Sequence, residues 1–175
     1  ARAQHAAMRE TIAQHVPVDC PQNHGIQTND AWVRDFGPIF TLDPRGRRTA
    51  HDFVFNCWGG KYQDYQLDDA VPTRLAETLG WQLRQHGLVL EGGAVESDGQ
   101  GTALLDEACL SNPNRGGRGR DDWSKLFAEL FGIEYIIWLP AAMRGDDTDG
   151  HIDTLARFIT PGPTPIVAAP RTRPD

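Results

Sequence analysis

The sequence predicts an α/β fold made of repeated strand–strand–helix–strand units, and three observations predict it. Apolar segments with strand-like spacing alternate with single amphipathic helices along the 175 residues. The order of these elements occurs twice in full and begins a third time. Each unit also opens at an acidic turn that contains glycine. Such a repeat favours a propeller or an array, in which each unit buries one face on its neighbour.

The first unit follows a helix. Apolar residues spaced by four predict that helix over residues 3–16. An extended stretch leads from it to a hairpin, in which strands 37–42 and 49–55 are joined by the polar turn 43–48. This hairpin supplies the first two strands of the unit.

A helix and a short strand complete the first unit. An apolar stripe predicts a helix over residues 68–79, with Asp68 or Asp69 as its N-cap and Gly80 as its end. The apolar run 87–90 then predicts a buried strand.

The second unit repeats this order. A hairpin is predicted over residues 94–105, and Asp121 is expected to cap a helix over 121–131 whose apolar side chains face the core. The apolar run 134–139 predicts the closing strand.

The third unit contains only a hairpin, predicted from strands 151–159 and 165–169. Two complete units cannot close a ring. We therefore expect residues 1–175 to form a single partial catalytic domain that is truncated at both ends.

Charge and cysteine content limit the classes of function. The formal net charge of −7 argues against nonspecific nucleic-acid binding and fits a small cationic ligand. The widely spaced Cys20, Cys57 and Cys109 form neither a disulfide framework nor a zinc pair, so a reducing, cytoplasmic setting is expected. No apolar run reaches membrane-spanning length, which predicts no membrane partner. A homo-oligomer is compatible with the sequence.

The polar turns recur at the period of the repeat. Asp35, Glu91 and His151 lie at equivalent strand junctions, 56 and 60 residues apart. In a ring of like units, equivalent junctions converge at one end of the axis. We therefore expect three distant segments to meet in one pocket that is rich in carboxylates and contains a histidine.

The segment GDDTDGHID, residues 145–153, has several interpretations. A calcium loop is disfavoured because the first and last ligand positions are not acidic. If the segment forms a strand, His151 and Asp153 share one face. A metal-dependent hydrolase built on Asp147, Asp149, His151 and Asp153 stays open, as does a polar surface turn.

Other segments also have both a structural and a functional interpretation. Trp32 and Asp35 could form a wall and an anion for a flat cation, or a core residue and an ion pair with Arg34. The two glycines after Glu91 indicate either a bulge or a backbone that makes room for a ligand. The arginine-rich loop 112–122 is expected to be solvated, with local ion pairs.

Five stretches in this order resemble the agmatine deiminase and bacterial-type peptidylarginine deiminase family of guanidino-modifying enzymes. They are NDAWVRDFGPIF, FNCWGGKY, LEGGAVESDGQGT, CLSNPNR and GDDTDGHIDTLARF, all between residues 28 and 160. The resemblance implies an α/β fold that is a five-bladed propeller of the pentein type, built of ββαβ units. Only part of that ring is expected in this chain.

The resemblance also implies a mechanism without cofactor or metal. A cysteine thiolate attacks the guanidinium carbon, ammonia leaves, and water hydrolyses the amidino intermediate. Asp35 and Asp153 would orient the guanidinium, and Trp32 would line the pocket. His151 would protonate the leaving ammonia and then activate the water. Glu91 would hold His151 charged.

The family's nucleophilic cysteine lies in a Gly-rich C-terminal segment to which nothing here corresponds. Cys20, Cys57 and Cys109 lack the cationic neighbour that activates a thiol, so the chain alone is expected to be inactive. The resemblance implies a hydrolase that acts on C–N bonds, with agmatine as substrate and N-carbamoylputrescine as product. The alternatives are a peptidylarginine deiminase, a metal-dependent hydrolase and an inactive binding module.

Overall fold

The computed structural model describes residues 24–139 and 145–160 and the backbone of residues 165–167. The predicted helix 3–16 lies outside these residues. Short turns and strands dominate, and none of the described helices is long and apolar enough to cross a membrane. The strands are β1 (Ile39–Leu42), β2 (Arg48–Val54), β3 (Gln82–Val89), β4 (Val95–Ser97), β5 (Thr102–Asp106), β6 (Tyr135–Leu139), β7 (Ala156–Phe158) and β8 (Pro165–Val167).

In the described residues, five helices and several single turns accompany the strands. The helices are α1 (Val33–Phe36), α2 (Gln66–Asp69), α3 (Val71–Leu79), α4 (Glu107–Leu110) and α5 (Arg120–Phe131). A kinked helical turn spans Cys57–Gly60, and 3₁₀ turns span Gly92–Ala94, Pro113–Arg115 and Ile152–Thr154.

The strands form mixed sheets, and the first two sheets have the same topology. In each of them the first two strands pair antiparallel, and the third strand pairs parallel with the second after a helical crossover. Strands β7 and β8 form an antiparallel hairpin. The described part of the chain is therefore an α/β structure with two complete ββαβ units and the hairpin of a third.

The predicted N-caps of the helix after β2 are wrong, whereas its predicted end at Gly80 is confirmed. The segment forms two helices, α2 and α3, whose N-caps are Tyr65 and Ala70 without side-chain cap bonds. Asp69 instead accepts a hydrogen bond from the Phe55 amide at 2.7 Å. Asp68 accepts one from the amide of Asn29, also at 2.7 Å. Both carboxylates therefore tie loops to α2 rather than starting a longer helix.

Two further bounds differ from the prediction. The N-cap of α5 is Gly119, and no side chain forms a cap bond. Asp121 lies in the first turn, where its negative charge interacts favourably with the helix dipole. Strand β3 begins at Gln82 rather than residue 87, because its parallel pairing with β2 starts at Thr49. Most of the added residues are polar and at most half-buried, so the apolar pattern did not reveal them.

The second unit supplies most of the buried residues of one apolar cluster, which contains Trp123 and Phe127. Trp123 and Phe127 of α5 are fully buried and stack edge to face, with ring centroids 6.0 Å apart. The indole nitrogen of Trp123 donates to the Leu110 carbonyl at 3.0 Å, so the buried ring leaves no polar atom unpaired. This packing joins α5 to the loop after β5.

Replacing Trp123 by alanine should lower the free energy of unfolding by about 3–5 kcal/mol, because it opens a large cavity and leaves the Leu110 carbonyl unpaired. Chemical denaturation measures this loss. The matched control is Trp32→Ala, since that side chain is 60 % exposed and its loss should cost less than about 0.5 kcal/mol. Equal effects of the two substitutions would contradict the assigned core.

Candidate active site

Three short turns meet at one end of the sheets. Asp35 lies in α1, which leads into β1, and Glu91 immediately precedes the turn Gly92–Ala94, which leads into β4. His151 is the N-cap of the turn Ile152–Thr154, which leads into β7. Each turn therefore occupies the same position in its unit, and the three distant segments come together as the repeat predicted.

His151 lies at the centre of this junction and is 2 % exposed. Its Nδ1 atom is 3.4 Å from Oδ1 of Asp35, and its Nε2 atom is 3.6 Å from Oε2 of Glu91. One ligand-type atom each of Asp35, His151 and Asp153 lie within 4.8 Å of one another. The structure thus brings together all four predicted residues that carry ionisable groups.

The surrounding charges set the protonation of His151. Burial favours the neutral imidazole, but the carboxylates of Glu91, Asp35 and Asp153 outweigh it and raise the pKa of His151 above its usual value. Burial also raises the pKa of Asp35, against the opposing effects of His151 and of a hydrogen bond from Trp58. These carboxylates therefore favour the imidazolium form of His151.

Two donors hold the Asp35 carboxylate in place. The indole nitrogen of Trp58 donates to Oδ2 at 2.9 Å, and the Gly93 amide donates to Oδ1 at 3.2 Å. Trp58 was not predicted from the sequence, and it lies in the kinked turn with positive φ. The aromatic residue before the glycine pair of FNCWGGKY was the available signal. These donors fix one carboxylate beside the imidazole.

The glycines after Glu91 are required by the site itself. A Cβ atom on Gly93 would lie 2.4 Å from both Oδ1 of Asp35 and Nδ1 of His151. A Cβ atom on Gly92 would lie 2.1 Å from the Arg34 carbonyl. The glycine pair therefore makes room for the protein's own catalytic candidates to approach one another.

Arg34 does not pair with Asp35, in contrast to the ion-pair interpretation. Its Nε atom donates to the Gly92 carbonyl at 3.0 Å, and one Nη atom donates to the Val95 carbonyl at 2.9 Å. The same Nη atom lies 3.5 Å from the Glu96 carboxylate. Arg34 thereby ties α1 to the turn that follows Glu91.

Glu91 is fully buried and is held by an arginine that was expected to be solvated. Arg115 is 1 % exposed, and its Nε atom lies 3.1 and 3.2 Å from the two carboxylate oxygens of Glu91. The side chain of Asn112 caps the turn Pro113–Arg115, which directs Arg115 inward. The expectation of a solvated loop holds for Arg118, which is exposed, and is wrong for Arg115.

The segment that carries His151 is a turn, and strand β7 begins only at Ala156, so the prediction that His151 and Asp153 share one face of a strand is wrong. Both oxygens of Asp146 accept hydrogen bonds, one from the Thr148 amide at 2.9 Å and one from the His151 amide at 3.3 Å. Asp149 adopts a positive φ of 66°. Side-chain bonds within the turn therefore replace the strand ladder and still aim both side chains at the cleft.

The acidic residues proposed for a metal do not form one cluster. Asp149 pairs with Lys61 at 2.7 Å and with Arg115, and Asp147 accepts from the Tyr62 hydroxyl at 3.0 Å. Among the described residues, the groups close enough to share a cation are Glu91–Cys109–His151 and Asp35–His151–Asp153. Neither group contains Asp147 or Asp149.

A cleft of about 500 Å³ opens onto His151 and the two aspartates beside it. Trp32 lies at the rim and is mostly exposed, so it borders the cleft without being buried. Glu91 lies behind His151 and does not reach the cleft. The lining residues are Asp30, Trp32, Arg34, Asp35, Trp58, Tyr62, Asp146, Asp147, Thr148, His151, Asp153 and Thr154.

This arrangement suits a flat cation. Carboxylates of Asp35 and Asp153 flank His151 at the cleft, and carboxylates accept the N–H groups of a guanidinium in a fixed plane. His151 can exchange a proton with a group bound there. Cys57 and Cys109 are buried, and burial raises the pKa of both thiols, so neither is an activated nucleophile.

Comparison with known proteins shows the family of this chain. Residues 1–174 match the sequence model of the Porphyromonas-type peptidyl-arginine deiminase family. The chain is 38 % identical to an agmatine deiminase of Stutzerimonas stutzeri (strain A1501) over 165 residues, which cover 90 % of this chain and 45 % of that protein. The chain thus spans less than half the length of this relative.

The chain is also similar to solved structures of agmatine deiminases. An agmatine deiminase of C. jejuni with substrate bound is 38 % identical and has a TM-score of 0.74, over 87 % of this chain and 46 % of that one. An agmatine deiminase of Enterococcus faecalis is 31 % identical and has a TM-score of 0.75, over 87 % of this chain and 43 % of that one.

Replacing Glu91 by glutamine should lower the pKa of His151, because it removes one of the carboxylates that favour the imidazolium. An NMR titration of the histidine ring resonances measures the change. Glu129→Gln is the matched control, since Glu129 is exposed on α5 and its loss should leave the His151 titration unchanged. An unchanged titration in Glu91→Gln would refute the assigned pairing.

Replacing Gly93 by alanine should displace Asp35 or His151, because the new methyl group would overlap both side chains. The expected result is a changed His151 titration together with a lower melting temperature. Gly87→Ala serves as control, since a Cβ atom there meets nothing within 4 Å. The close approach would be disproved by a Gly93→Ala protein that matches the control in both measurements.

Proposed function

Because this chain belongs to the Porphyromonas-type peptidyl-arginine deiminase family, we propose that it acts in an agmatine deiminase-type hydrolase. The substrate is a small cationic guanidino compound, and agmatine is the favoured one. The products are N-carbamoylputrescine and ammonia. The agmatine deiminases of S. stutzeri, C. jejuni and E. faecalis support this choice as similar proteins.

The proposal depends on one observation, which is the position of Asp35 and Asp153 around His151 at the cleft. Two carboxylates can accept N–H bonds from opposite edges of a guanidinium, and this fixes the plane of its central carbon. The neighbouring imidazolium then faces the nitrogen that must leave. A cationic ligand would add a positive charge between these carboxylates, which a neutral ligand would not.

In the proposed reaction a thiolate forms a bond to the guanidinium carbon, and a C–N bond breaks. His151 gives its proton to the departing nitrogen, which leaves as ammonia. The now neutral His151 takes a proton from water as the water oxygen adds to the amidino carbon. The C–S bond then breaks, which returns the thiolate, and the added hydroxyl group loses its proton to solvent to give the ureido product. Glu91 supports the charged state of His151 in the first step.

The thiolate is proposed to come from outside the described residues. Burial raises the pKa of Cys57 and Cys109, and neither lies in an electropositive, accessible setting. Cys20 is outside the described residues, and its sequence context offers no base. The C. jejuni structure with substrate bound carries a Cys-to-Ser substitution, which agrees with a cysteine-dependent reaction in that relative. We expect this chain by itself not to turn over agmatine.

The two ββαβ units also support a larger ring. Their identical topology and the convergence of three equivalent turns are what neighbouring blades of a propeller produce. We propose that the whole protein forms a five-bladed α/β propeller of the pentein type, with the cleft at one end of its axis.

Peptidyl arginine is the second candidate substrate, because the matching family takes its description from peptidyl-arginine deiminases. The two substrates share the guanidinium and differ in the tail, which carries an ammonium in agmatine and a peptide backbone in peptidyl arginine. A direct comparison of agmatine with a blocked arginine peptide separates the candidates.

The decisive experiment measures ammonia and ureido product from agmatine in the whole protein. Asp35→Asn should lower kcat/KM by about 100-fold or more, because it removes a charged acceptor of the guanidinium. The exposed Asp121→Asn serves as control and should keep wild-type activity. Absence of both products, or full activity in Asp35→Asn, would reject the proposal. Faster turnover of the arginine peptide would favour the second candidate.

A further inference from the structure

Arg115 is a buried cation that the mechanism above does not use. Its guanidinium has no exposed surface and lies next to Glu91, on the side away from the cleft. Arginines are seldom buried completely unless they are paired, since removing the charge from water is costly. The burial of Arg115 next to Glu91 therefore needs a functional or structural explanation.

The guanidinium makes two sets of contacts. Toward Glu91, Nε and Nη2 approach both carboxylate oxygens, with the shortest separation 2.9 Å. Toward the turn that carries His151, Nη2 donates to the Thr148 carbonyl at 3.1 Å and Nη1 pairs with Asp149. One planar group therefore links Glu91 to the segment on which His151 depends.

We propose that Arg115 is a positioning residue of the deiminase site, which orients the Glu91 carboxylate and ties it to the turn that carries His151 and Asp153. This inference rests on the proposed function for its catalytic meaning. Arg115 touches no substrate, because it does not reach the cleft. It acts through Glu91 and through the turn.

The role has an electrostatic consequence for proton transfer. Ionisable groups surround His151. Asp35 approaches from α1, Glu91 from just before the turn Gly92–Ala94, Asp153 and Asp146 from its own segment, and Cys109 from α4. Asp106 lies beside the neighbouring Gly150. Most of these groups are acidic. Without a cation among them, they would bind the His151 proton too firmly for the imidazole to act as a base in the second step.

Arg115 supplies that cation. Its positive charge offsets part of the negative charge of Glu91, so Glu91 attracts the His151 proton less strongly. His151 can then release that proton and take one up again. The geometry suits this division, since Oε2 of Glu91 lies 3.6 Å from His151 and 3.2 Å from Nε of Arg115. The Glu91 carboxylate thus has the permanently charged Arg115 on one side and the ionisable His151 on the other.

The test compares Arg115→Met with Arg118→Met, a control from the same loop whose arginine is exposed. Arg115→Met should raise the pKa of His151 by about one unit in an NMR titration. In the whole protein the pH profile of kcat with agmatine should move to higher pH by a similar amount. Arg118→Met should change neither. Arg115→Lys keeps the charge without the two-pronged pairing and should give a smaller shift.

Two further variants separate electrostatics from simple tethering. Asp149→Asn weakens the tie to the turn and leaves the Arg115–Glu91 pair intact, so it should not reproduce the pKa rise. If Arg115→Met fails to fold, the Glu91→Gln/Arg115→Met double variant is used instead. It replaces both buried charges by uncharged side chains, so no unpaired charge remains buried. Its His151 titration should resemble that of Glu91→Gln alone, because Arg115 acts through Glu91.

An unchanged His151 titration in Arg115→Met would overturn the proposal, as would an equal shift in Asp149→Asn. Where only the double variant folds, a His151 titration far from that of Glu91→Gln would overturn it. The titration does not depend on turnover. A wild-type protein that releases no ammonia from agmatine would therefore reject the proposed function, while the NMR comparison would still decide whether Arg115 controls Glu91 and His151.

Discussion

The imidazole of His151 and the carboxylates around it are the interaction on which this structure depends. Asp35, Glu91 and Asp153 come from three separate turns, and each would be costly to bury without a cation nearby. His151 and Arg115 supply the opposite charges. Several charged side chains are therefore buried where the units meet. Apolar side chains in their place would give a more stable protein but could not bind a cation or transfer a proton.

The repeat explains how such distant residues reach one point. Each ββαβ unit begins with a short turn before its first strand, and the three turns pack together. Glycine at position 93 allows the approach, because any side chain there would occupy the space between Asp35 and His151. Arg34 and Trp58 then fix the turns by hydrogen bonds that cross from one unit or loop to another. Backbone topology gives the convergence, and these few side chains give the final geometry.

Element order and the convergence of the polar turns could be predicted from the sequence, because both follow from apolar periodicity and the spacing of the repeat. The inward direction of Arg115 could not, because its partner Glu91 is 24 residues away and a glycine-rich arginine loop usually faces solvent. The role of Trp58 could not be predicted either, because a kinked turn with positive φ leaves no periodic pattern in the sequence. The N-cap predictions for the helix after β2 were wrong because Asp68 and Asp69 form tertiary hydrogen bonds that outweigh local preference.

The central claim is that Asp35, Glu91, His151 and Asp153 form one preformed site for a guanidinium. A crystal structure of the protein with agmatine bound tests it most directly. The account predicts the guanidinium plane between the carboxylates of Asp35 and Asp153, with a nitrogen facing the imidazole of His151 and Glu91 still behind it. Agmatine bound elsewhere on the acidic surface, with these four side chains apart, would contradict it.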